Sequence, residues 1–328
     1  MGSLSEDSDF LALVANVKGK ITFEKPMASM TWLRVGGKAE VFFQPLDLSD
    51  LCNFLSVLPF HINVLPIGVC SNLLVRDGGI SDVTVRLGRG FSDITVQDGY
   101  ITVGAAALDS RVAEFAALNE IDLSFLRTIP GTIGGAVKMN AGCYGMSLSD
   151  VFVSADIVNR FGEVKTLKAS DLEFSYRHSN LPDTVVVTRV KLKGRKEKST
   201  VINKKIKKNQ QLRLVSQPIK EKTGGSTFKN PQPIVSHDLN YSSAWQLIDN
   251  ANLRGAKVGG AKVSELHSNF LINTGLANSD DFESLGEVIQ KMVLEKSGIH
   301  LQWEIKRVGD RIRTKKKLII NQEIERDI

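Results

Sequence analysis

Short β-rich runs broken by glycine fill roughly the first 190 residues, and this pattern limits the fold more than any other feature of the chain. The runs Glu40-Val-Phe-Phe43, Asn63-Val-Leu-Pro-Ile67 and Val83-Thr-Val-Arg-Leu87 are rich in β-branched or aromatic residues, as strands are. The Asp98-Gly99 pair before Ile101-Thr-Val-Gly104 predicts a hairpin turn. We therefore expect this part of the chain to be mainly sheet.

Helices interrupt these strands without a regular rhythm. One helix is predicted to begin at a cap formed by Asp109 or Ser110. A longer one is predicted to begin at Ser279 or Asp280 and to end at Gly298. It is marked by apolar residues at helical spacing: Phe282, Leu285, Val288, Ile289, Met292 and Val293. Because helices and strands do not alternate as strict βαβ units, the sequence predicts an α+β fold rather than a doubly wound α/β fold.

A period of two resumes after the longer helix. Leu301, Trp303 and Ile305 alternate with Gln302 and Glu304, which is the pattern of a half-buried strand. The side chain of Glu304 is therefore predicted to lie on the face opposite to that of the three apolar residues. On this pattern alone, Glu304 is an ordinary solvated glutamate.

The length of 328 residues predicts about two domains. A lysine-rich segment at about 194–209 has few large apolar residues, and we place the boundary near it. We expect a first region at 1–203, with subdomains at about 1–90 and 91–203. A second, smaller domain is expected at 204–309, and a charged, frayed tail at 310–328.

The net charge is concentrated in two segments. The chain has 42 Lys and Arg against 36 Asp and Glu, a net charge of +6. The segment 191–222 carries +10 and the segment 306–328 carries +4, so the remainder is acidic. Clustered basic residues keep a nucleic-acid-binding protein open as a hypothesis, but these segments contain almost no aromatic residues for base stacking.

The cysteines and the N-terminus indicate a compartment. Cys52, Cys70 and Cys143 are far apart and lack CxxC spacing, which fits a reducing environment and excludes a cysteine-rich zinc site. The first ten residues lack a basic n-region, and no apolar run approaches the ~18 residues of a spanning helix. We expect a soluble, cytoplasmic protein without a membrane partner.

Two glycine-containing loops have the composition of phosphate-binding loops. One spans residues 66–75 and includes Gly68, and the other spans residues 129–145 with five glycines. Glycine lets backbone N–H groups approach a pyrophosphate. Neither loop is a Walker A loop or a Rossmann fingerprint. Tight turns and close strand packing remain the alternative explanation.

Several motifs together resemble the UDP-N-acetylenolpyruvoylglucosamine reductase (MurB) family, in the same order from about Phe23 to Gly309. They are Thr31-Trp-Leu-Arg-Val-Gly-Gly37, Ser71-Asn-Leu-Leu-Val-Arg-Asp-Gly-Gly79, residues 129–145, Tyr176-Arg-His-Ser179, Gly224-Gly-Ser-Thr-Phe-Lys-Asn-Pro231, Gly259-Gly-Ala-Lys-Val-Ser-Glu-Leu-His-Ser-Asn-Phe270 and Glu304. The last long motif resembles the subclass that lacks an extra tyrosine-bearing loop. The chain departs from the family pattern at Val69-Cys70, where glycine is usual, and at Cys143, where alanine is common.

The resemblance implies a two-part α+β fold, in which an FAD-binding region of the vanillyl-alcohol-oxidase type precedes a smaller substrate-binding domain. It implies noncovalent FAD, NADPH as electron donor, a sugar-nucleotide substrate and a place in peptidoglycan precursor synthesis, and hence in cell-wall biogenesis, cell shape and cell division. It implies a monomer without an obligate protein partner. The FAD-binding residues that it implies are Gly68, Ser71, Asn72, Leu73, Pro130, Gly131, Thr132, Gly134, Gly135, Asn140 and Gly142.

The same resemblance implies three catalytic residues. The reaction adds hydride to an enolpyruvyl ether, so charge develops on the substrate carboxylate and the neighbouring carbon must be protonated. Arg177 is expected to bind that carboxylate, and Glu304, with a raised pKa, to donate a second hydrogen bond. Ser226 is expected to deliver the proton. Lys229 and Asn230 are expected to bind substrate.

Other interpretations remain open. A hydroxy-acid or sugar-lactone oxidase or dehydrogenase on the same FAD fold is the second hypothesis, and the nucleic-acid binder is the third. His267 has no second His or Cys at ligand spacing, so a structural, hydrogen-bonding histidine is expected and no metal site is predicted. His178 is not expected to be a covalent flavin anchor, because the resemblance implies noncovalent FAD.

Overall fold

A computed structural model of the chain describes residues 4, 6–231, 243–313, 317–320 and 324–327. The strands are β1 (Lys20–Pro26), β2 (Lys38–Gln44), β3 (Val64–Ile67), β4 (Leu73–Val75), β5 (Ile80–Arg86), β6 (Ile94–Gln97), β7 (Tyr100–Gly104), β8 (Ile121–Asp122), β9 (Gly142–Cys143), β10 (Met146–Ser147), β11 (Phe152–Val158), β12 (Val164–Lys168), β13 (Val186–Leu192), β14 (Arg195–Lys196), β15 (Thr223–Ser226), β16 (Lys257–Val258), β17 (Ala261–Val263), β18 (Phe270–Asn273), β19 (Lys306–Val308), β20 (Lys317–Ile320) and β21 (Ile324–Asp327). The helices are α1 (Ser8–Val14), α2 (Leu48–Val57), α3 (Asp109–Leu118), α4 (Ile133–Met139), α5 (Ala169–Leu172), α6 (Ser199–Ser216), α7 (Ala244–Asn250) and α8 (Ser279–Ser297). Within these described ranges, every helix is too short or too polar to cross a lipid bilayer.

The chain divides into two compact units, each assembled from separated segments. The first unit comprises Met1–Lys25, Ala39–Val69 and Ser81–Arg213, and the second comprises Pro26–Lys38, Cys70–Ile80 and Leu214–Ile328. This division differs from the expected boundary at 203/204, because two early segments join the second unit. One reason is that β4 pairs in parallel with β19, more than 200 residues later in the chain.

The first unit contains two main sheets. A four-stranded sheet has the order β1-β2-β5-β3, with β3 parallel to β5, and a five-stranded antiparallel sheet has the order β12-β11-β13-β7-β6. Asp98 and Gly99 join β6 to β7 at positive φ values of 51° and 77°, which confirms the predicted hairpin. A core around Val103, Ala113 and Val137 packs α3 and α4 against the larger sheet.

The second unit is built on one six-stranded sheet with the order β15-β18-β17-β16-β20-β21. The helix α8 packs on it through Phe282, Leu285 and Ile289, which lie in the buried core of this unit. Its N-cap is Asn278, one residue before the predicted caps, in a reciprocal capping box with Asp281. The predicted end of the helix at Gly298 is confirmed, at a φ of 70°.

The C-terminal residues differ from the expected frayed tail. Strand β20 pairs with β16, so that Leu318 lies opposite Val258 and is buried in the core of the second unit. Strand β21 pairs in turn with β20. The buried side chain of Leu318 attaches β20 to this core, although three lysines precede it.

The lysine-rich segment forms most of helix α6. Only Ile202 and Ile206 of this helix are buried, and both pack with Ala117. The lysine-rich part of the remaining surface is polar and exposed, as expected for a solvated helix, whereas Leu212, Leu214 and Val215 are exposed apolar residues near the end of the helix.

Candidate active site

Arg177 lies in a tight turn of the first unit. Ser175 and His178 bracket the turn, each donating its N–H to the carbonyl of the other at 3.1 Å. Arg177 itself has a φ of 53°, in the left-handed region that side chains other than glycine rarely adopt. Its Nη2 donates to the carbonyl of Gly142 at 2.8 Å, and its guanidinium lies 5.1 Å from the ring centre of Tyr176. The turn therefore fixes both the backbone and the guanidinium.

Asn140 connects this turn to helix α4. It ends the helix at a φ of 40°, and its side chain is buried. Its Nδ2 donates to the carbonyl of Ser175 at 2.9 Å, while its Oδ1 accepts the N–H of Ser149 at 3.0 Å. The amide of Asn140 thus carries a hydrogen bond to the turn that presents Arg177.

Cys143 lies beside the same turn, in the β9–β10 hairpin. Its thiol contacts the Thr128 hydroxyl at 3.3 Å and the carbonyl of Phe125 at 3.2 Å. Burial raises the pKa of Cys143, and the Thr128 hydrogen bond with the charges of Arg177 and Arg213 opposes part of that rise. The thiol form is favoured, so Cys143 packs here as a neutral group.

The two glycine-containing loops meet within the first unit. A Cβ atom on Gly68 would lie 2.6 Å from Oγ1 of Thr132, so the backbone comes close here only because residue 68 is glycine. A Cβ on Gly134 would lie 3.1 Å from that of Ala105, whose carbonyl accepts the Gly134 N–H at 2.9 Å. Both glycines are therefore explained by the close approach of neighbouring groups.

Asp109 lies beneath the second loop. It is fully buried, and neither carboxylate oxygen has a hydrogen-bond partner in the described part of the chain. A Cβ on Gly131 would lie 2.7 Å from its Oδ2. Burial raises the pKa of Asp109 well above the ordinary value of an aspartate. Burial therefore favours the neutral form of this carboxyl under the loop.

Ser226 ends strand β15 of the second unit, after a bulge. Thr223 pairs with Ile272 and Ser226 with Phe270, so two glycines face one residue of β18. Gly225 has a φ of 83°, which a larger residue would adopt only with strain. The bulge changes the direction of the backbone just before the half-buried Ser226.

The segment that contains Glu304 runs beside the residues that follow Ser226. The N–H of Glu304 donates to the carbonyl of Thr227 at 2.8 Å, and the N–H of Lys229 donates to the carbonyl of Gln302 at 2.8 Å. Leu301 and Ile305 are buried in the core and Glu304 is half-buried, as the alternation predicts. The predicted strand is absent, however, because residues 301–305 form a single isolated bridge, between Trp303 and Phe228. The structure therefore brings the backbones of Ser226 and Glu304 together.

Trp303 fixes the opposite face of this segment against α8. Its ring packs 5.2 Å from that of Phe228, and its Nε1 donates to Oε1 of Gln290 at 3.2 Å. A Cβ on Gly286 would lie 2.1 Å from the Trp303 ring, so glycine is required for the helix to approach so closely. The backbone around Glu304 is thus held in place by both hydrogen bonds and packing.

Neighbouring polar residues support the Ser226 segment. Asn269 pairs with Phe228 through both atoms of its amide, at 3.0 and 2.9 Å, a role that the sequence did not reveal. Asn230, predicted to bind substrate, accepts the N–H of Ala244 at 3.0 Å. His267 accepts a hydrogen bond from the Asn269 N–H at Nδ1, as expected of a structural histidine, and burial lowers the pKa of His267.

A groove of about 470 Å³ lies elsewhere in the second unit. Pro218, Lys220, Lys262, Ser264 and Leu266 are among its lining residues. Neither Ser226 nor Glu304 lines this groove, so the groove is separate from these predicted catalytic residues.

Comparisons with known proteins agree with this architecture. Residues 217–308 match the family described as UDP-N-acetylenolpyruvoylglucosamine reductase, C-terminal domain, and residues 39–168 match the FAD binding domain family. The UDP-N-acetylenolpyruvoylglucosamine reductase of Ruegeria pomeroyi is 51% identical over 90% of this chain and 97% of its own length, and that of Acidiphilium cryptum is 48% identical over 92% and 96%. The chain belongs to the UDP-N-acetylenolpyruvoylglucosamine reductase family.

A solved member of the MurB family has the same fold. The crystal structure of the Thermus caldophilus enzyme superposes with a TM-score of 0.74 at 30% identity, over 89% of this chain and 99% of the other. The α+β prediction and the recognition of the family are therefore confirmed.

The first unit of this MurB family member fits the FAD that its FAD binding domain implies. A side chain at residue 68 would collide with Thr132, whereas a Cβ on Gly135 would meet nothing nearer than Oγ1 of Thr132, at 3.7 Å. Gly68, Thr132 and Gly135 are among the residues expected to hold the cofactor. FAD supplies hydride transfer.

The predicted site residues of this family member are distributed over both units. Arg177 and the 130–142 residues lie in the first unit, whereas Ser226, Lys229 and Glu304 lie in the second. Residues 71–73, predicted to bind FAD, belong to the second unit, although Gly68 of the same loop belongs to the first. Cys70, where the family usually has glycine, has a φ of 54°, which explains that preference.

Proposed function

We propose that the chain catalyses the NADPH-dependent, FAD-mediated reduction of UDP-N-acetylglucosamine enolpyruvate to UDP-N-acetylmuramate, a step of peptidoglycan precursor synthesis. FAD bound in the first unit would supply the hydride transfer, with NADPH as the donor and the terminal vinyl carbon of the substrate as the acceptor. Membership of the family supports this reaction, and the names of the relatives give the same substrate. We propose a cytoplasmic location, in keeping with three free cysteines. We also propose a monomer without an obligate protein partner, as the resemblance implies.

Three residues of the chain perform the acid and electrostatic steps. Arg177 binds the substrate carboxylate, where negative charge grows as hydride arrives. Glu304 donates a further hydrogen bond to that charge. Ser226 transfers its hydroxyl proton to the carbon beside the carboxylate. Lys229 and Asn230 bind the diphosphate or the sugar.

The adjacency of Ser226 and Glu304 carries this proposal. The carbonyl of Thr227, the residue after Ser226, accepts the N–H of Glu304 at 2.8 Å. The main chains at Ser226 and Glu304 are thus neighbours although the two residues are remote in sequence, which supports a shared role for a proton donor and an acidic group. A sugar-lactone or hydroxy-acid oxidase does not require that pair.

An absorbance experiment tests the function. The purified protein should be yellow, NADPH should bleach it, and colour should return without oxygen only when the enolpyruvyl sugar nucleotide is added. A hydroxy acid or sugar lactone that bleaches the protein, followed by reoxidation in oxygen alone, would instead support the oxidase. A colourless protein that cannot be reconstituted with FAD would exclude both.

A further inference from the structure

Asn72 adjoins the backbone of Glu304 within the second unit. Strand β4, which begins one residue after Asn72, pairs in parallel with β19, which begins two residues after Glu304. The main-chain carbonyl of Asn72 accepts the N–H of Lys306 at 3.1 Å. The two segments are therefore already in register where Asn72 and Glu304 lie.

The Asn72 side chain adds a bond that the parallel ladder does not supply. Its Nδ2 donates to the carbonyl of Glu304 at 3.2 Å. Because the N–H of Glu304 is bound to the carbonyl of Thr227, both main-chain polar groups of Glu304 are held. One of these two bonds depends on the identity of residue 72.

The far end of the same ladder has its own anchor. Glu283 of α8 is fully buried and receives Nε and Nη2 of Arg76, each at 3.0 Å, and Nη1 of Arg307 at 3.1 Å. Arg76 follows β4, and Arg307 lies in β19. These bonds hold the ladder without Asn72, so a substitution at 72 should change the Glu304 peptide and leave the fold intact.

We propose that Asn72 is a positioning residue for Glu304, which it holds by the hydrogen bond from its side chain to the Glu304 carbonyl. This inference rests on the proposed function for the role of Glu304. It adds to the FAD-binding role that the resemblance gives Asn72, and it requires a direct effect on the step that uses Glu304. A shift of about 1 Å in a reacting group can slow a step ~100-fold.

A double-mutant cycle on the purified holoenzyme tests the proposal, with Asn72→Ala, Glu304→Gln and the double variant. In Asn72→Ala, reoxidation of reduced flavin by substrate should slow by about 10- to 100-fold. Because the resemblance also gives Asn72 an FAD-binding role, both half-reactions are measured with saturating FAD, and the loss in reoxidation should exceed any loss in reduction by NADPH by at least about tenfold. In the Glu304→Gln background, Asn72→Ala should have almost no further effect on reoxidation. Additive effects, or equal losses in the two half-reactions, would overturn the positioning role.

Two further readouts separate positioning from general stability. The dependence of the reoxidation rate on pH should include one limb that is lost in Glu304→Gln. In Asn72→Ala, this same limb should be present but shifted along the pH axis. Asn72→Asp, which keeps the size but cannot donate as a carboxylate, should reproduce the kinetic pattern. A stabilising role alone would move neither the limb nor the ratio of the two half-reactions.

A measurement without turnover separates this proposal from the proposed function. Amide hydrogen exchange of the peptide covering residues 302–306 should be at least about tenfold faster in either Asn72 variant than in the unchanged holoenzyme. Unaltered exchange would overturn the positioning role whatever the reaction. Failure of the unchanged protein to reoxidise with substrate would instead reject the proposed function, while exchange would still decide whether Asn72 holds Glu304.

Discussion

Arg177 lies at a φ of 53° in a tight turn, whereas Glu304 lies in an extended segment between buried Leu301 and Ile305. The turn is closed by reciprocal bonds between Ser175 and His178 and is held from outside by Asn140. The Glu304 segment is held by packing on one face and by main-chain bonds along its edge. The two regions therefore fix a charged side chain by different means.

The difference predicts different sensitivities. A turn with a residue in the left-handed region depends on a few hydrogen bonds, each worth about 0.5–1.5 kcal/mol net. A segment that is anchored by core residues depends on many apolar contacts and tolerates the loss of one hydrogen bond. Polar substitutions near Glu304 that leave the core intact should therefore lower the reaction rate more than the stability of the fold. Similar substitutions near Arg177 should lower both the reaction rate and the stability.

The buried carboxyls of the two regions also differ. Glu283 in the second unit is held by Arg76 and Arg307, with Arg311 at 3.7 Å. Asp109 in the first unit has neither a cation nor a hydrogen-bond donor at its oxygens within the described ranges. One buried carboxyl is paired with arginines, whereas burial without a partner raises the pKa of the other.

Ser226→Ala should give the largest effect on chemistry. Reoxidation of reduced flavin by substrate should slow by about 10²- to 10⁴-fold, because the proton donor is lost. Reduction by NADPH should be unchanged, and the bulge at Gly225 should keep the backbone in place. Stopped-flow absorbance of the two half-reactions measures both rates. Equal losses in both would remove Ser226 from the proton-transfer step.

Arg177→Lys should slow the same half-reaction by about 10²- to 10³-fold. Lysine keeps the charge but cannot bind a carboxylate in a planar fork, and it loses the bond to the Gly142 carbonyl. The Michaelis constant for substrate should rise as well. Arg189, an exposed arginine of β13, gives a matched control as Arg189→Lys, which should behave like the unchanged enzyme. Full activity in Arg177→Lys would show that charge alone suffices.

Asn140→Gly should slow reoxidation by about tenfold, less than the ~100-fold of a 1 Å misplacement, because the loop around Arg177 keeps its other bonds. Glycine accepts the φ of 40° but lacks the bonds to Ser175 and Ser149. Asn140→Ala loses the same bonds and adds about 1–2 kcal/mol of backbone strain. The two variants should therefore share one rate and differ in melting temperature. Unequal rates would show that strain, rather than the lost bonds, controls Arg177.

Local sequence patterns predicted much of the Glu304 segment and little of the Arg177 turn. The period of two around Glu304 predicted the face on which its side chain lies, since packing repeats that period. The caps of α8 and the turn at Asp98-Gly99 were equally local and were predicted to within one residue. The Arg177 turn depends on Asn140, 35 residues away, and no period or composition marks such a bond.

Long-range pairing explains the remaining differences. The segment 70–80 joins the second unit because β4 pairs with β19, and the C-terminal strand β20 joins it by pairing with β16. Each contact needs a partner that is remote in sequence, so composition alone assigned these residues to a neighbouring domain or a tail. The resemblance to the family supplied the candidate residues, and their physical support comes from these pairings.

Asp109→Asn should give the smallest effect of these substitutions. The effect should be a change in how the free energy of unfolding depends on pH. The unfolded chain releases the Asp109 proton near pH 4, whereas burial keeps the folded carboxyl protonated to higher pH. The folded state therefore binds more protons than the unfolded state above pH 4, and stability falls as pH rises until the folded pKa is reached. The fall from this one group is at most ~1.4 kcal/mol per pH unit.

Urea unfolding of the unchanged protein and Asp109→Asn from pH 4 to pH 8 measures this effect. The variant cannot ionise at residue 109, so its stability relative to the unchanged protein should increase steadily with pH. Asp93→Asn, at an exposed aspartate, should leave the pH dependence unaltered. Parallel curves for Asp109→Asn and the unchanged protein would mean that Asp109 ionises in the fold, and the contrast with the arginine-held Glu283 would be lost.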